Sequence, residues 1–335
     1  MTVLVTGGAG YIGSHTVLEL LDAGEPPPVV LDDLSTGFRW SVPEGTPLVV
    51  GDFGDADLVA DLIERHAIDE IIHFAAKIVV PDSVADPLGY YLNNTAKARA
   101  LLATSVAHRV KRFIFSSTAA VYGDPLHNPV TEEEPLKPVS PYGRSKLMVE
   151  WMLEDTARAH GLAYVALRYF NVAGADPKGR SGQSTPNATH LIKVAVQTAL
   201  GLRPKMQVFG DDYPTPDGTC VRDYIQVTDL SRAHLDALRY LRGGGAPLVA
   251  NCGYERGFSV LEVIESVKRV SGVDFDVEIS PRRPGDPAAI VAANERIRRT
   301  LGWTPQHDNL DEIVRQALEW EKRLMARGAL MARGG

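Results

Sequence analysis

Cysteine is scarce in this chain of 335 residues: only Cys220 and Cys252 are present, in different segments. Neither has a metal-ligand partner nearby in sequence, so a disulfide framework or zinc site is not expected and both read as reduced thiols. No apolar run approaches the roughly 20 residues that cross a bilayer, so no membrane partner is expected. No basic stretch precedes an apolar one either. Met1 and Thr2 run directly into Val3-Leu4-Val5, and a secretory signal is not expected. Cations are the minority charge, 35 Lys and Arg against 42 Asp and Glu, for a net charge of −7. Without a basic run the chain is a poor match for a phosphate backbone, so nucleic acid is not an expected partner. A small anionic ligand is a different matter, since a few local arginines suffice. Together these absences predict a cytoplasmic protein.

What is there reads as a folded α/β protein, 44% hydrophobic and 23% charged, with room for a large domain and a smaller one. Short β-branched runs at Val3–Val5, Val29–Leu31, Leu48–Val50, Ile71–Phe74, Phe113–Phe115 and Tyr164–Arg168 predict buried parallel strands. Amphipathic stretches at Ile12–Ala23, Ala56–His66, Tyr90–His108 and Pro141–Ala159 predict the helices between them. That alternation is a Rossmann-type, doubly wound parallel sheet. The character changes after Asn171, with Gly and Pro frequent up to Pro186. Helices are then predicted at His190–Leu200, Val227–Leu241, Ser259–Val270, Asn294–Leu301 and Leu310–Leu324, with strands at Met206–Phe209 and Val249–Cys252. The expected division is a dinucleotide domain over 1–171, to which later elements return, and a smaller α/β substrate domain mainly over 172–325. Residues 326–335 are expected to fray.

The clearest chemical signal is Val5-Thr6-Gly7-Gly8-Ala9-Gly10-Tyr11-Ile12-Gly13-Ser14. A strand enters, Gly7, Gly10 and Gly13 follow at G-x-x-G-x-x-G spacing, and a helix leaves. Such a loop lets backbone approach a pyrophosphate closely, with helix N-terminal amides facing the charge. Asp32 ends the second strand about 20 residues on, where a carboxylate grips a ribose diol. Asp32 and Asp33 together repel a 2′-phosphate, which favours NAD over NADP. Asp52 and Phe53 after the third strand, and Phe74, Ala75 and Ala76 after the fourth, are expected to line the same crevice.

A second constellation follows. Ser116-Ser117-Thr118 closes the fifth strand, and Tyr142 and Lys146 lie four apart on one face of the next helix. A phenol titrates near 10, and a neighbouring ammonium is expected to lower it toward use as a base. Thr118, or alternatively Ser117, is expected to orient a substrate alcohol. No metal is expected, because the histidines are scattered without ligand spacing. Glu132-Glu133-Glu134 reads as a solvated acidic turn.

The glycine loop, the Ser/Thr strand end and the Tyr142/Lys146 pair resemble the extended short-chain dehydrogenase/reductases. Within them, several runs are similar to the UDP-glucose 4-epimerase family: His73-Phe74-Ala75-Ala76, Ser140-Pro141-Tyr142-Gly143-Arg144-Ser145-Lys146, Leu167-Arg168-Tyr169-Phe170-Asn171, Asp212-Tyr213-Pro214-Thr215 and Val221-Arg222-Asp223-Tyr224-Ile225. The resemblance implies inversion at the sugar C4 through a transient 4-keto sugar, with Tyr142 as base, Lys146 on the nicotinamide ribose, Thr118 on the reacting oxygen and bound NAD as hydride carrier. It implies that Tyr11, Ile12, Leu34, Ser35, Thr36, Gly37, Asn93, Ser116 and Phe170 complete the cofactor site. On the substrate side it implies Arg222 and Arg283 at the diphosphate or uridine ribose, which suits a planar guanidinium fork. Asn171, His190, Leu191, Gln207, Val208, Phe209, Asp286 and Ile290 are expected around the rest of the nucleotide sugar. It also implies a homodimer built from the Tyr90–His108 and Pro141–Ala159 helices.

Departures leave alternatives open. Ile78 stands where relatives carry a lysine, with Lys77 one residue earlier. Ile290 is intermediate in size at a sugar-pocket position, so a UDP-N-acetylhexosamine or UDP-pentose is an alternative substrate. A nucleotide-sugar 4,6-dehydratase is disfavoured because Ala119-Ala120 stand where that chemistry needs an acid and a base. A non-catalytic NAD-sensing regulator is disfavoured because Tyr142 and Lys146 are both retained.

Overall fold

The computed structural model describes residues 1–186, 188–283 and 285–333. Its strands, in chain order, are β1 (Thr2–Thr6), β2 (Val29–Asp32), β3 (Leu48–Val50), β4 (Ile68–His73), β5 (Arg112–Thr118), β6 (Ala163–Tyr169), β7 (Asn171–Ala173), β8 (Met206–Phe209), β9 (Val221–Gln226), β10 (Leu248–Cys252), β11 (Gly257–Ser259), β12 (Val277–Ser280) and β13 (Ala289–Ile290). Seven of them form one parallel sheet in the order β10-β6-β5-β4-β1-β2-β3. The order reverses between β1 and β4, and ligands bind outside the carboxyl ends of strands at such a switch point. The expected α/β class and Rossmann-type sheet are therefore present.

The strand interiors are mainly apolar because both faces of the sheet are covered. Val3, Val5, Ile72, Ile114 and Val165 face one way and pack with Ile225, Leu230, Leu238 and Trp303. Leu4, Leu31, Ile71, Phe113 and Ala166 face the other way and pack with Leu62, Leu101, Val149 and Leu153. One helical layer thus joins the first helix, through Val17 and Leu20, to helices from the second half of the chain. β10 also returns to become the seventh strand, beside β6. The smaller sheet runs β11-β9-β13, with β7 also paired to β9, and β8 pairs with β12. β7, β9 and β11 to β13 are short and were not visible as apolar runs; three of them pair only with β9.

Three local readings need correction. The stretch expected as one helix over Tyr90–His108 is a short helix Pro87–Tyr90, a wide π turn Tyr91–Ala96 and a helix Lys97–Ala107. The π turn brings the Asn94 side chain onto the backbone of Lys77, accepting from its N–H and donating to its carbonyl, each at 2.9 Å. The tail past Met325 does not fray at once: the last helix runs Leu310–Arg333, and 334 and 335 lie outside the described residues. Arg327 there stacks over Trp40, 4.2 Å from the ring centre. Finally, the acidic run is not a solvated turn. Glu132 accepts the Asn251 N–H at 2.8 Å and Glu134 the Leu126 N–H at 2.6 Å, and both side chains are buried.

At the amino ends of the strands, wholly buried Glu70 is held by Arg112 at 3.1 Å and by Arg242 at 2.6 Å, and Arg242 also holds Glu25 at 2.8 Å. This cluster ties helix Val227–Arg242 to the sheet. Removing one partner leaves a buried charge undercompensated. Arg242→Ala should lower unfolding free energy by about 2 kcal/mol, below the usual cost of breaking a buried pair because Arg112 remains. An unchanged urea midpoint would show that the cluster does not tie the layers together.

Candidate active site

The dinucleotide loop is shaped by close backbone approach. Gly7 has φ of +72°, and a Cβ there would lie 2.6 Å from the Ala75 nitrogen of the segment after β4. A Cβ on Gly13 would lie 2.1 Å from the Gly7 carbonyl oxygen. The fold itself therefore demands these two glycines. Gly10 differs: its Cβ would meet only the Gly7 oxygen, at 3.3 Å. It is the N-cap of helix Tyr11–Asp22, in extended conformation, and its bareness is what a close ligand requires. A cleft of about 190 Å³ opens there, lined by Gly10, Tyr11, Ser14, Thr36, Ser181 and Ser184 among others. Asp32 lies beside it, accepting from Ala9 N–H at 2.9 Å and Leu34 N–H at 2.8 Å. Burial pushes this carboxyl up, while those two amides oppose the shift. These features fit a bound dinucleotide, with helix amides for phosphate and a fixed carboxylate for ribose.

Other expected cofactor residues divide. Ser35, on the next turn, donates to the exposed Asp33 from its N–H and its hydroxyl. Phe74 and Ala75 both donate backbone N–H groups to the Thr6 carbonyl, at 2.9 and 3.2 Å, so the segment leading to Ala76 starts directly beside Gly7. Buried Phe53 packs on His73, with ring centres 4.9 Å apart. Asp52 is opposed by burial, but Lys97 at 2.6 Å wins and holds it below the ordinary range. Asn93 donates to Asn94 at 3.1 Å; it is Asn94 that is buried and organises the loop. Lys77 projects outward toward Asp86 at 3.9 Å, and Ile78 is exposed as well.

The catalytic constellation is assembled by one helix start and one strand end. Ser140 accepts the Gly143 N–H at 3.1 Å, capping helix Pro141–His160 and fixing its first turn. Tyr142 is 9% and Thr118 8% exposed; the Thr118 hydroxyl accepts the Ala120 N–H at 3.2 Å and neighbours the phenol. Lys146 donates to the Ser116 carbonyl at 2.8 Å and lies over the Phe115 ring. Ser116 shares a short hydrogen bond with the Tyr169 hydroxyl. The expected direction of the tyrosine shift is overturned for these groups alone. Burial pushes the Tyr142 phenol up, and only the neighbouring Thr118 hydroxyl opposes it. Burial also pulls Lys146 down to about 7, with Glu150 opposing. Desolvation penalises whichever form is charged, and here it outweighs the neighbours. Ser117 faces elsewhere, bonding Glu150, which leaves Thr118 as the hydroxyl at the phenol.

A cleft brings together Asn171, His190 and Leu191, three residues expected at the nucleotide sugar, with Tyr11, expected at the cofactor, and is lined also by Gln183, Lys193, Trp320 and Glu321. Burial holds His190 below its ordinary range, with Lys193 reinforcing it. Lys193 is itself buried, 2.5 Å from Glu321. Gln183 comes from the Gly/Pro-rich stretch, Lys193 from helix Leu191–Ala199, and Trp320 and Glu321 from the last helix, where no spacing signalled them. Register sets Ile290 beside Arg222 on β13 and β9, and Arg222 lies 3.9 Å from Asp286. Asp223 does not pair with Arg222; it accepts the N–H groups of Tyr254, Glu255 and Ala292. Arg283 stacks on Phe209 at 3.6 Å. Phe170 and Ile290 share one cluster with Val121, Tyr122 and Leu147. Val208 is a correction: it is 1% exposed in the core, on the opposite strand face from exposed Gln207 and partly exposed Phe209, so its side chain cannot flank a base.

The sequence profile of the NAD dependent epimerase/dehydratase family matches residues 3–253. The UDP-glucose 4-epimerase of Azospirillum brasilense is 56% identical over 322 residues, 96% of this chain and 92% of that protein. The crystal structure of the Brucella ovis UDP-glucose 4-epimerase in complex with NAD superposes with a TM-score of 0.92 at 45% identity, over 95% of this chain and 97% of that one. A Stenotrophomonas maltophila UDP-glucose-4-epimerase with bound NAD and formylated UDP-arabinopyranose gives 0.93 at 40% identity, over 98% and 99%. On the profile match and this near full-length identity, the chain belongs to the NAD dependent epimerase/dehydratase family, among its UDP-glucose 4-epimerases.

Proposed function

We propose that this chain interconverts UDP-glucose and UDP-galactose by inverting C4 of the sugar. The observation that carries the reading is the Thr118–Tyr142–Lys146 group at the end of β5, set at the switch-point crevice beside the glycine loop. Bound NAD supplies a hydride acceptor that returns what it takes, and a positive charge beside the phenol. The chain's own residues do the rest. Tyr142 removes the proton of the 4-hydroxyl, and Thr118 holds the same oxygen. Lys146 fixes the ribose next to the reacting carbon. Asp32, Gly7, Gly10 and Gly13 hold the dinucleotide. Arg222 and Arg283 hold the diphosphate end, which leaves the sugar free to turn about its link and present its other face. Phe170 and Ile290, both buried, exclude water from the ketone. Buried Ala119 and half-buried Ala120 follow Thr118 and offer no proton, so the ketone is reduced back rather than dehydrated.

The same reading assigns 1–171 and the returning β10 to the dinucleotide and most of 172–325 to the nucleotide sugar. Val84, Leu88, Leu92 and Trp151 are exposed apolar side chains on the segments 80–96 and 141–160. They support a homodimer formed through those segments. A cytoplasmic location, with reduced Cys220 and Cys252, follows from the same family membership.

Tyr142→Phe should cut epimerisation of UDP-galactose by about a thousandfold, the range of a positioned general base, while the purified protein keeps its NAD. Full activity in that variant would remove Tyr142 as the base. Gly10→Ala separates ligand from fold: thermal unfolding without NAD should change by no more than about 1 kcal/mol, whereas NAD affinity should fall at least about tenfold. Unchanged affinity would place the pyrophosphate elsewhere. Side-by-side rates for UDP-galactose, UDP-N-acetylgalactosamine and UDP-arabinose should rank the plain hexose first, and a faster N-acetylated sugar would reassign the substrate.

A further inference from the structure

A buried ionic network lies behind the catalytic strand end and takes no part in the chemistry above. Glu150 stands one turn beyond Lys146 on helix Pro141–His160, and Arg168 projects from β6. Their side chains are each 5% exposed and meet at 2.5 Å. Glu150 also accepts the Ser117 hydroxyl. Arg168 donates to the Tyr122 hydroxyl at 3.0 Å, and Tyr122 in turn donates to Asn251 Oδ1 at 2.6 Å. A buried ion pair rarely stabilises a fold more than apolar residues of the same volume, so stability alone does not account for it. Its position is specific. Ser117 sits between Ser116, whose carbonyl receives the Lys146 ammonium, and Thr118, whose hydroxyl neighbours Tyr142. Alternation along the strand turns Ser117 to the opposite face from those two.

We propose that Glu150 is a positioning residue for proton and hydride transfer: through Ser117 it fixes the strand end that carries the Ser116 carbonyl and Thr118, and it places a countercharge one helical turn from Lys146. The proposal rests on the reading of Tyr142 as the base. The surrounding groups bear it out. Lys146 is pulled down to about 7 by burial, and Glu150 is what opposes that. His73 on β4 faces Lys146 but is held neutral by burial, near 3; Tyr142 faces it from the same helix, its phenol pushed up by burial. Arg168 and Tyr164 of β6 and Tyr122 of the turn after β5 face Glu150. Removing the carboxylate thus lowers Lys146 further, and the ammonium is lost at a lower pH.

The test is kcat for UDP-galactose against pH for wild type, Ser117→Ala and Glu150→Gln, with NAD content measured on each. Glu150→Gln should move the alkaline limb down by about one pH unit, a tenfold change in the Lys146 equilibrium. Ser117→Ala keeps the charge, so its limb should stay with wild type while kcat falls about three- to tenfold, the worth of one hydrogen bond. Where Glu150→Gln does not hold NAD, the double variant Glu150→Gln/Arg168→Met removes the orphaned cation as well, and the displaced limb should be read there. A limb coincident with wild type in the folded variant overturns the proposal. Absence of turnover in the wild type would instead overturn the epimerase reading and leave that limb undefined.

Discussion

Three stretches of backbone crowd together at the carboxyl end of the central strand more closely than side chains allow. Gly7 packs on Ala75, and Gly13 packs on Gly7. The first contact joins β1 to the segment after β4; the second seats the first helix on the loop. Everything that serves the ligand follows from this crowding. It brings the helix N-terminus to the mouth of the crevice, aligns Asp32 through Ala9, and sets the β4 end against the loop. β5 is the next strand along, so sheet order brings Thr118 to the same crevice, and the Ser140-capped start of helix Pro141–His160 brings Tyr142. Gly10 stands apart, since a Cβ there would meet only the Gly7 oxygen, at 3.3 Å.

Burial then dominates the electrostatics. Tyr142 is pushed up and Lys146 down by the same withdrawal from water. The chain's own groups therefore disfavour the charged form of both the phenol and the lysine. A site of this kind stays inert until charge arrives with its ligand, which suits a cofactor that is retained and restored. It also explains why a fully paired, buried carboxylate one turn from Lys146 matters. In a low-dielectric interior a fixed counterion acts over the length of a helical turn.

Much of this was legible in the sequence, and the reasons are local. The glycine spacing, the Asp32 strand end and the Tyr142/Lys146 spacing are short-range features, and each is where the sequence reading expected it. The sheet strands from β1 to β6 were legible because both faces are covered and the runs are uniformly apolar. What escaped notice depends on distant partners. β9 carries polar residues and joins β7, β11 and β13 only through tertiary pairing. The π turn at Tyr91–Ala96 has no periodic signature, so the hold of Asn94 on the Lys77 backbone was not legible. Val208 was misread because strand parity, not adjacency to Phe209, decides which way it points. The tyrosine shift was misjudged because a spacing reveals a neighbouring charge but not the depth of burial.

The central claim is that the hydrogen removed from C4 never leaves the crevice and returns to the carbon it came from. UDP-galactose carrying deuterium at C4 tests it directly, with the protein turning substrate over in ordinary water. The account predicts UDP-glucose that retains the deuterium at C4 with no net consumption of NAD. Product that has exchanged this label for solvent hydrogen would contradict it.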